Sequence, residues 1–308
     1  MAMTNTQFTD YIGSAALPAV NSQLKREYAL HPQVWPLFMN RMKSMREIEQ
    51  KRALIGFGPY VEIEGEMGTV KMDRLTQDFN TTFRHRRYGK AMALSADLNE
   101  DDNNRVLAER VPEMARAELH TMNLLAFNVL NNAFTTNGYD GVPLCSASHP
   151  SRRPGVINQS NVLAVPAALS HTTAQVMQTQ FYLQRDSSGK PIMVTQAYIL
   201  VHPNQYHLAN EIFKSDSRSD TANEATNALK YFPNGGIPQI ITSPLLTNTN
   251  VSFMIAPAKQ NGLVWFDRRT PYQKDWYDNP TETQIIARRF RCSQGWFDFR
   301  GILGNAGA

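Results

Sequence analysis

The stretch from Asp101 to Phe134 constrains the fold most, because its apolar residues follow the period of one long helix. They recur at spacings of four and three, which places them on a single helical face. The members of this stripe are Ala115, Leu119, Met122, Ala126, Val129 and Ala133. Pro112 either opens the main helix as its first residue or lies inside it and kinks it. A helix from Pro112 onward would be roughly 34 Å long, which suits a core helix on a sheet or a spine along which a flat subunit is built.

The composition of the 308-residue chain favours a globular protein with a buried core. Apolar residues make up 42% and charged residues 19% of it, which argues against global disorder. No apolar run approaches the roughly 18 residues of a membrane-spanning helix, so we expect no contact with a membrane. The first residues, MAMTNTQFTD, lack the basic start and apolar run of a secretory signal, so we expect the mature chain to begin at Met1 or Ala2.

The charge of the chain is mildly basic, with a net charge of +4 and a pI near 9.0. Its arginines include four short clusters: Arg84, Arg86 and Arg87; Arg152 and Arg153; Arg268 and Arg269; Arg288, Arg289 and Arg291. Such clusters can meet phosphates without sequence preference, but they more often pair with acidic surfaces of neighbours or face solvent. Cys145 and Cys292 have no partner at metal-ligand or redox spacing, which predicts two free thiols in a reducing compartment.

Residues 1–54 have the pattern of an extended arm that prolines interrupt, with one short helix over Asn21–Leu30. The arm holds large apolar side chains but too little neighbouring apolar sequence to form a core of its own. These side chains are Phe8, Tyr11, Tyr28, Val34, Trp35, Leu37 and Phe38. We expect them to be buried against the body of the chain or against another subunit.

Residues 55–95 change to an alternating pattern, which predicts a two-stranded ribbon with one wet face. Phe57, Val61 and Ile63 mark the first strand. The second strand carries Phe79, Thr81, Phe83, His85 and Arg87 on one face and continues through Ala91–Leu94. The polar run Asp73–Asp78 belongs to the tip. A lone two-stranded ribbon is marginal in water, so this one should pack against another part of the protein.

The remaining sequence predicts an α/β body. Ser170 caps a helix over Thr172–Arg185, with Val176, Met177, Phe181 and Leu183 facing inward. A second helix covers Gln205–Phe213, with Leu208, Ile212 and Phe213 inward. Strands are predicted at Met193–Val201, Ile237–Ile241, Val251–Ile255 and Leu263–Phe266. A closing β-hairpin joins Thr283–Phe290 to Trp296–Ile302 through a turn near Cys292–Gly295.

The sequence shows no common catalytic constellation, and we expect no enzyme activity, cofactor or metal. It contains no glycine-rich phosphate loop, dinucleotide fingerprint, HExxH or GxSxG motif. Ser146 and Ser148 stand close to His149, with Asp140 as the nearby acid. A nucleophile and base are conceivable there, but we favour a structural turn in which the hydroxyls bond to backbone.

Several motifs follow one another in an order that resembles the major capsid protein of tailed bacteriophages, in particular the Mu-like major head subunits. Tyr139-Asp140-Gly141 followed by Ser146-Ala-Ser-His149-Pro150 resembles the segment after that family's spine helix. Tyr198-Ile-Leu-Val-His-Pro203 resembles its strand–proline–helix step, and Phe253-Met254-Ile255-Ala256 resembles a later strand. Gly295-Trp-Phe-Asp-Phe-Arg-Gly-Ile302 resembles its closing strand. The resemblance covers about residues 50–308 and implies the head-shell fold that encapsulins share.

This resemblance implies an α+β tailed-phage major capsid protein fold. Residues 1–55 would be the N-arm, 56–95 the E-loop β-ribbon, 96–150 the P-domain with its long spine helix, 151–269 the A-domain, and 270–308 the return strands of the P-domain. The expected contacts of the E-loop with a neighbouring subunit are Glu66, Lys71, Arg74, Phe79, Phe83, Arg84, Arg86 and Arg87.

The function implied by the resemblance is structural: self-assembly into the icosahedral head shell that encloses double-stranded DNA. The implied partners are other copies of the chain in hexamers and pentamers, a separate scaffolding protein, a portal and a decoration protein. Contact with the packaged DNA would be non-specific. The protein would be made in the host cytoplasm and end in the virion.

Three other interpretations remain at the level of sequence. One is an encapsulin-type compartment, the second a hydrolase that uses Ser146 or Ser148 with His149, and the third a basic nucleic-acid-binding module. Some relatives also cross-link their shells through a lysine–asparagine bond promoted by a glutamate. Lys71, Asn279 and Glu282 could be interpreted that way, but polar surface loops routinely contain such residues, and the Mu-like pattern does not imply the bond.

Overall fold

The structure is a computed structural model that describes residues 26–31, 33–54, 60–63, 69–70, 72, 77–95, 105–151, 155–195, 198–218, 225–230 and 238–307. Its helices are α1 (Arg105–Asn131), α2 (His171–Tyr182) and α3 (Tyr206–Lys214). The strands are β1 (Asn40–Lys43), β2 (Ile48–Leu54), β3 (Gln77–Arg84), β4 (Arg86–Ser95), β5 (Tyr198–Val201), β6 (Gln239–Thr242), β7 (Ser252–Ile255), β8 (Leu263–Asp278), β9 (Thr283–Trp296) and β10 (Ile302–Asn305). They form two four-stranded sheets, in the orders β1-β8-β9-β4 and β10-β7-β5-β6, and a two-stranded ribbon of β2 and β3.

The predicted spine is one uninterrupted helix, α1, and Pro112 lies inside it rather than at its start. The predicted stripe faces the interior: Ala115, Leu119, Met122, Ala126 and Ala133 are buried, and Val129 packs against the same core. The helix ends at Asn131, three residues before the predicted end. Asp101 and Asp102 lie outside the described residues. The core under α1 also includes residues of both four-stranded sheets.

The predicted closing hairpin is wrong, because residues 283–296 form a single strand. β9 pairs with β8 along nearly its whole length, and the turn between them lies at Asn279–Thr281. Glu282 follows with a left-handed φ of 47° and reverses the chain. The polar residues near Cys292 resemble a turn in sequence, yet Ser293 and Gln294 pair with buried residues of β8. The final strand β10 instead joins β7 in the other sheet.

The second sheet carries α2 and α3, and the predicted inward faces of both helices are partly wrong. Ser170 caps α2 as predicted, because its hydroxyl accepts from the backbone N–H of Thr173 at 3.1 Å. Val176 and Leu183 are 46% and 66% exposed. In α3, Leu208 is 40% exposed. Met177 and Phe181 of α2 and Ile212 and Phe213 of α3 are buried as predicted, and the small residues Ala174 and Ala209 take the other inward positions.

Part of the predicted arm is built into the body of the chain. β1 runs parallel to β8, and Trp35 and Phe38 just before it are fully buried. The Trp35 ring stacks on Trp265 at 4.4 Å between centroids. The expectation that apolar arm residues are buried against the body is therefore confirmed for Trp35 and Phe38. Phe8 and Tyr11 lie outside the described residues.

The ribbon exists, but its first strand is not where the sequence pattern placed it. The strand that pairs with β3 is β2, Ile48–Leu54, inside the predicted arm. Residues 60–63 are described and are not in a strand, and residues 55–59 lie outside the described part. The predicted second strand is divided at His85 into two strands. Before His85, β3 belongs to the ribbon; after it, β4 pairs with β9 in the body of the subunit.

Candidate subunit interface

The root of the ribbon is fixed to the body through His85, which lies between β3 and β4 and is 5% exposed. One ring nitrogen lies 2.9 Å from the hydroxyl of Ser44, and the other 2.9 Å from that of Ser293. Burial and the nearby Arg291 lower the pKa of His85, while Glu49 acts in the opposite direction. A neutral imidazole ring has one donor and one acceptor nitrogen, and each serine hydroxyl can either accept from the donor or donate to the acceptor. His85 therefore joins the two segments that flank the ribbon to the sheet.

Aromatic packing also holds the root of the ribbon against the body of the subunit. Phe83 is 7% exposed and shares a small core with Val264 and Phe266, whose ring centroid lies 5.2 Å away. Gly295 makes this contact possible, because a Cβ there would lie 2.8 Å from the Phe83 ring. Farther out, Phe79 meets Tyr139 edge-on at 5.6 Å. The base of the ribbon is thus held by its own subunit.

The described residues between β2 and β3, which are 60–63, 69–70 and 72, are exposed in the subunit. Five large apolar side chains among these residues are half or more exposed: Tyr60, Val61, Ile63, Val70 and Met72, at values from 50% to 106%. Glu62 among them is also exposed. An apolar patch on a soluble protein usually marks a contact surface. The tip of the ribbon, residues 60–72, is therefore the strongest candidate for contact with another molecule.

The eight predicted contact residues fall into three groups. Glu66, Lys71 and Arg74 lie outside the described residues. Phe83 is largely covered by its own chain, and Phe79 is partly covered. Arg84, Arg86 and Arg87 are exposed beside the root. Sequence reasoning missed Ser44 and Ser293, since their convergence on one histidine depends on strand pairing that has no local signal.

The predicted cluster of Arg288, Arg289 and Arg291 is divided between the two faces of β9. Arg288 points to α1, where its Nε donates to Glu118 Oε2 at 2.6 Å, and both side chains are at most 10% exposed. The hydroxyl of Tyr28 donates to the same carboxylate. Burial and the bond to Glu118 raise the pKa of Tyr28. This buried group joins the arm, α1 and β9 of one subunit, so Arg288 is not available to a partner.

The histidine of the predicted serine–histidine cluster is part of a buried polar network. His149 Nδ1 lies 2.6 Å from Asp140 Oδ2, and its Nε2 lies 3.0 Å from Asn161 Oδ1. The amide of Asn161 is oriented by two backbone contacts, since its Nδ2 donates to the carbonyl of Leu144 and its Oδ1 accepts from the N–H of Ser146. His149 Nε2 therefore donates to Asn161. A general base would need that nitrogen free to accept a proton from serine.

The serine hydroxyls have structural partners instead. Ser146 Oγ accepts from the backbone N–H of Ser148 at 3.3 Å, and Ser148 Oγ accepts from Asn158 Nδ2 at 3.0 Å. The favoured turn, in which the hydroxyls bond to backbone, is therefore confirmed for Ser146, whereas the partner of Ser148 is a side chain.

The other candidates for chemistry have no supporting geometry in the described part of the chain. No group of three or more metal-ligating side chains occurs among the described residues. Cys145 and Cys292 are free, as predicted, and burial raises the pKa of both thiols. Asn279 and Glu282 lie at the exposed β8–β9 turn, while Lys71 lies outside the described residues. No helix in the described segments is long and apolar enough to cross a membrane.

Comparison with known proteins finds a family and a fold. The family model described as phage capsid protein matches residues 79–305, which is most of the chain. No curated protein matches it.

Phage capsids are among the similar solved structures. The procapsid protein of bacteriophage JBD30 is 14% identical, with a TM-score of 0.51 over 94% of this chain and 75% of that one. The capsid protein of cyanophage P-SCSP1u is 8% identical, with a TM-score of 0.58 over 90% and 88% of the two chains. A chain from Mycobacterium phage Che8 is 11% identical, with a TM-score of 0.54 over 90% and 93%. At these low sequence identities, the similarity shows only that this chain shares the fold of those proteins.

Proposed function

Because this chain belongs to the phage capsid protein family and is a structural major capsid protein of the phage shell, we propose that its β2–β3 ribbon is the element by which each subunit holds a neighbour. The observation that carries this proposal is the exposure of the tip, where Tyr60, Val70 and Met72 are each more than 70% exposed. Burying such side chains is worth roughly 1.5–3 kcal/mol each. A shell repeats the contact at every subunit, so modest contacts add up to a stable particle.

We propose a division of the chain that follows from this role and moves the sequence-based boundaries of the ribbon and of the P-domain. We assign the E-loop ribbon to residues 48–84, since β2 and β3 pair with each other and with no other strand among the described residues. The P-domain then holds α1, β4, β8 and β9, and the A-domain holds the sheet of β5, β6 and β7 with α2 and α3. Of the predicted contact residues, Glu66, Lys71, Arg74 and Phe79 belong to the outer ribbon, and Phe83, Arg84, Arg86 and Arg87 to its root.

The finer features of the particle belong to the same proposal. The shell is icosahedral, built from hexamers and pentamers, and encloses double-stranded DNA with non-specific contacts. A separate scaffolding protein, a portal and a decoration protein are its partners, and the chain is made in the host cytoplasm. One similar structure carries the words "decorated with minor capsid protein trimers", which supports a decoration partner by analogy. The phage family match favours this assembly over an encapsulin-type compartment.

The protein acts without catalysis in this proposal. What supports it is the geometry at His149, whose two ring nitrogens are engaged by Asp140 and Asn161 and not by a serine hydroxyl. A hydrolase would need a serine on one of these nitrogens and an oxyanion site beside it.

The test replaces Glu66–Gln77 with a short Gly/Ser turn. The body should stay folded, because its core residues Leu119, Met122 and Ile199 lie elsewhere, and circular dichroism should match the wild type. Particle formation should fail, which sedimentation on the same sample measures. The proposal is wrong if this variant still builds full-size shells of normal stability, or if it unfolds, since the tip would then belong to the core of its own subunit.

A further inference from the structure

The ribbon of β2 and β3 is attached to its own subunit through side chains. The Phe83 ring lies 5.2 Å from that of Phe266, and Lys51 Nζ on β2 lies 5.9 Å from the centroid of the same Phe266 ring. Toward the far end of β3, Phe79 meets Tyr139 edge-on. Among the described residues, β2 and β3 pair with no strand of either four-stranded sheet. The ribbon can therefore leave the body without breaking a sheet.

His85 joins the base of this ribbon to the body through a hydrogen-bond chain whose direction is fixed. The hydroxyl of Ser44 donates to Glu49 Oε1 at 2.7 Å, so its oxygen accepts from His85 Nε2. In the neutral ring, Nδ1 then has no proton and accepts from the hydroxyl of Ser293. The chain thus runs from the hydroxyl on β9 to the carboxylate on β2, and it uses the uncharged form of the ring.

A second proton on the ring is incompatible with this chain. It would make Nδ1 a donor, so that the Ser293 hydroxyl would have to turn away, and it would place a charge at a site that is 5% exposed. The charged side chains that face the ring are Arg291 on β9, Arg268 on β8 and Glu49 on β2. Neither arginine forms an ion pair with a carboxylate of the described residues. Burial and the two arginines lower the pKa of His85, and Glu49 opposes them.

We propose that His85 is a pH-sensitive switch: its neutral ring holds the ribbon against its own subunit, and protonation of the ring releases the ribbon. In the released ribbon the ring lies in water, where its charge is solvated and is no longer close to Arg268 and Arg291. The inference goes beyond the proposed function, because it concerns how the ribbon is attached within one subunit and not which molecule the ribbon contacts in a shell.

The sign of the effect follows from the lowered pKa of the closed form. Release returns the pKa of His85 to about 6.5, so the open form binds a proton before the closed form as the pH falls. Acid should therefore favour the open ribbon. Between about pH 7.5 and about pH 5.5, the population of the open form should rise by up to about tenfold.

Amide hydrogen exchange, followed by mass spectrometry on the unassembled chain, measures this opening. A released two-stranded ribbon is marginal in water, so the amides of β3 should exchange when the ribbon opens. The amides of α1 cover the core and report global unfolding. We expect β3 to be less protected than α1 at neutral pH. After correction for the intrinsic effect of pH on exchange, the protection of β3 should fall by up to about tenfold at about pH 5.5.

Three variants separate the switch from other effects of acid. His85→Gln keeps one donor and one acceptor but cannot take up a proton, so its ribbon should lose the response to acid. Arg291→Gln leaves the ring in place and removes one of the two positive charges that face it, so the response should weaken. The matched control is His120→Gln, which changes an exposed histidine on α1 and should behave as the wild type.

Equal protection of β3 and α1 in the wild type would overturn the inference, since the ribbon would then open only when the whole subunit unfolds. Protection of β3 that is the same at the two pH values would also overturn it, as would a full acid response in His85→Gln. If His85→Gln does not fold, Arg291→Gln decides: a weakened response supports the switch, and an unchanged response rules it out.

Discussion

Replacing Glu118 with Gln tests the buried link between the arm, α1 and β9. The carboxylate of Glu118 accepts from Arg288 Nε at 2.6 Å and from an Arg288 terminal nitrogen at 3.4 Å, and Tyr28 donates to it as well. The substitution keeps the shape but leaves the Arg288 charge buried without its partner. Breaking a buried pair in this way costs about 3–5 kcal/mol. We therefore expect the free energy of unfolding of the unassembled subunit to fall by that amount in urea denaturation followed by circular dichroism, with an unchanged slope.

A matched control lies on the same helix. Glu113 pairs with Arg110 at 2.8 Å, but both side chains are more than 60% exposed, so Glu113→Gln should cost less than about 1 kcal/mol. The double variant Glu118→Met with Arg288→Met should be more stable than Glu118→Gln, because no buried charge is left unpaired. A Glu118→Gln variant as stable as Glu113→Gln would refute the argument that this pair holds the three elements together.

Three further predictions concern His85 at the root of the ribbon, the two cysteines, and the serines near His149. Burial and Arg291 lower the pKa of His85, so the unfolded chain binds a proton before the folded chain as the pH falls below about 6.5, and the free energy of unfolding should decrease. His85→Gln should flatten this part of the dependence of urea unfolding on pH. An unaltered pH dependence would show that another group is responsible. Cys145 and Cys292 should resist alkylation in the native subunit, because burial raises their pKa, and should label as two thiols per chain after denaturation without reductant; fewer than two would mean that they are bridged. The pair Ser146→Ala and Ser148→Ala should leave assembly unchanged and cost at most about 1–2 kcal/mol of stability, whereas a lost hydrolytic activity would restore the enzyme interpretation.

Elements with strong local periodicity could be predicted from the sequence, and α1 is the clearest case. Its buried stripe follows directly from apolar spacing, and the cap of α2 follows from Ser170. The strand β2 could not be found in this way. Its sequence, IEQKRAL, is mostly charged or polar, since a ribbon that is wet on one face has little apolar signal.

The errors in the body arose where tertiary contacts outweigh local pattern. The stretch Cys292–Gly295 has turn-like composition, but its pairing with β8 keeps it extended. The inward positions of α2 and α3 went to Ala174 and Ala209 because close packing against the sheet favours small residues there.

Only part of the candidate subunit interface could be predicted from the sequence. A charged ribbon tip that contacts a neighbouring subunit was expected from the residues themselves. The buried root was not expected, because Ser44, His85 and Ser293 are far apart in sequence and meet only through strand pairing. The contact between His149 and Asn161, which identifies the histidine as structural, was likewise not predicted from the sequence.

Electron microscopy of the purified protein under assembly conditions tests the central claim most directly. The account predicts closed, icosahedral shells of uniform size, in which the ribbon of each subunit contacts a neighbouring subunit. A reconstruction at side-chain resolution should place residues 60–72 of one copy against a neighbouring copy. Shells in which the ribbon contacts only its own subunit would contradict the account, as would a protein that remains monomeric whatever the concentration and scaffold supplied.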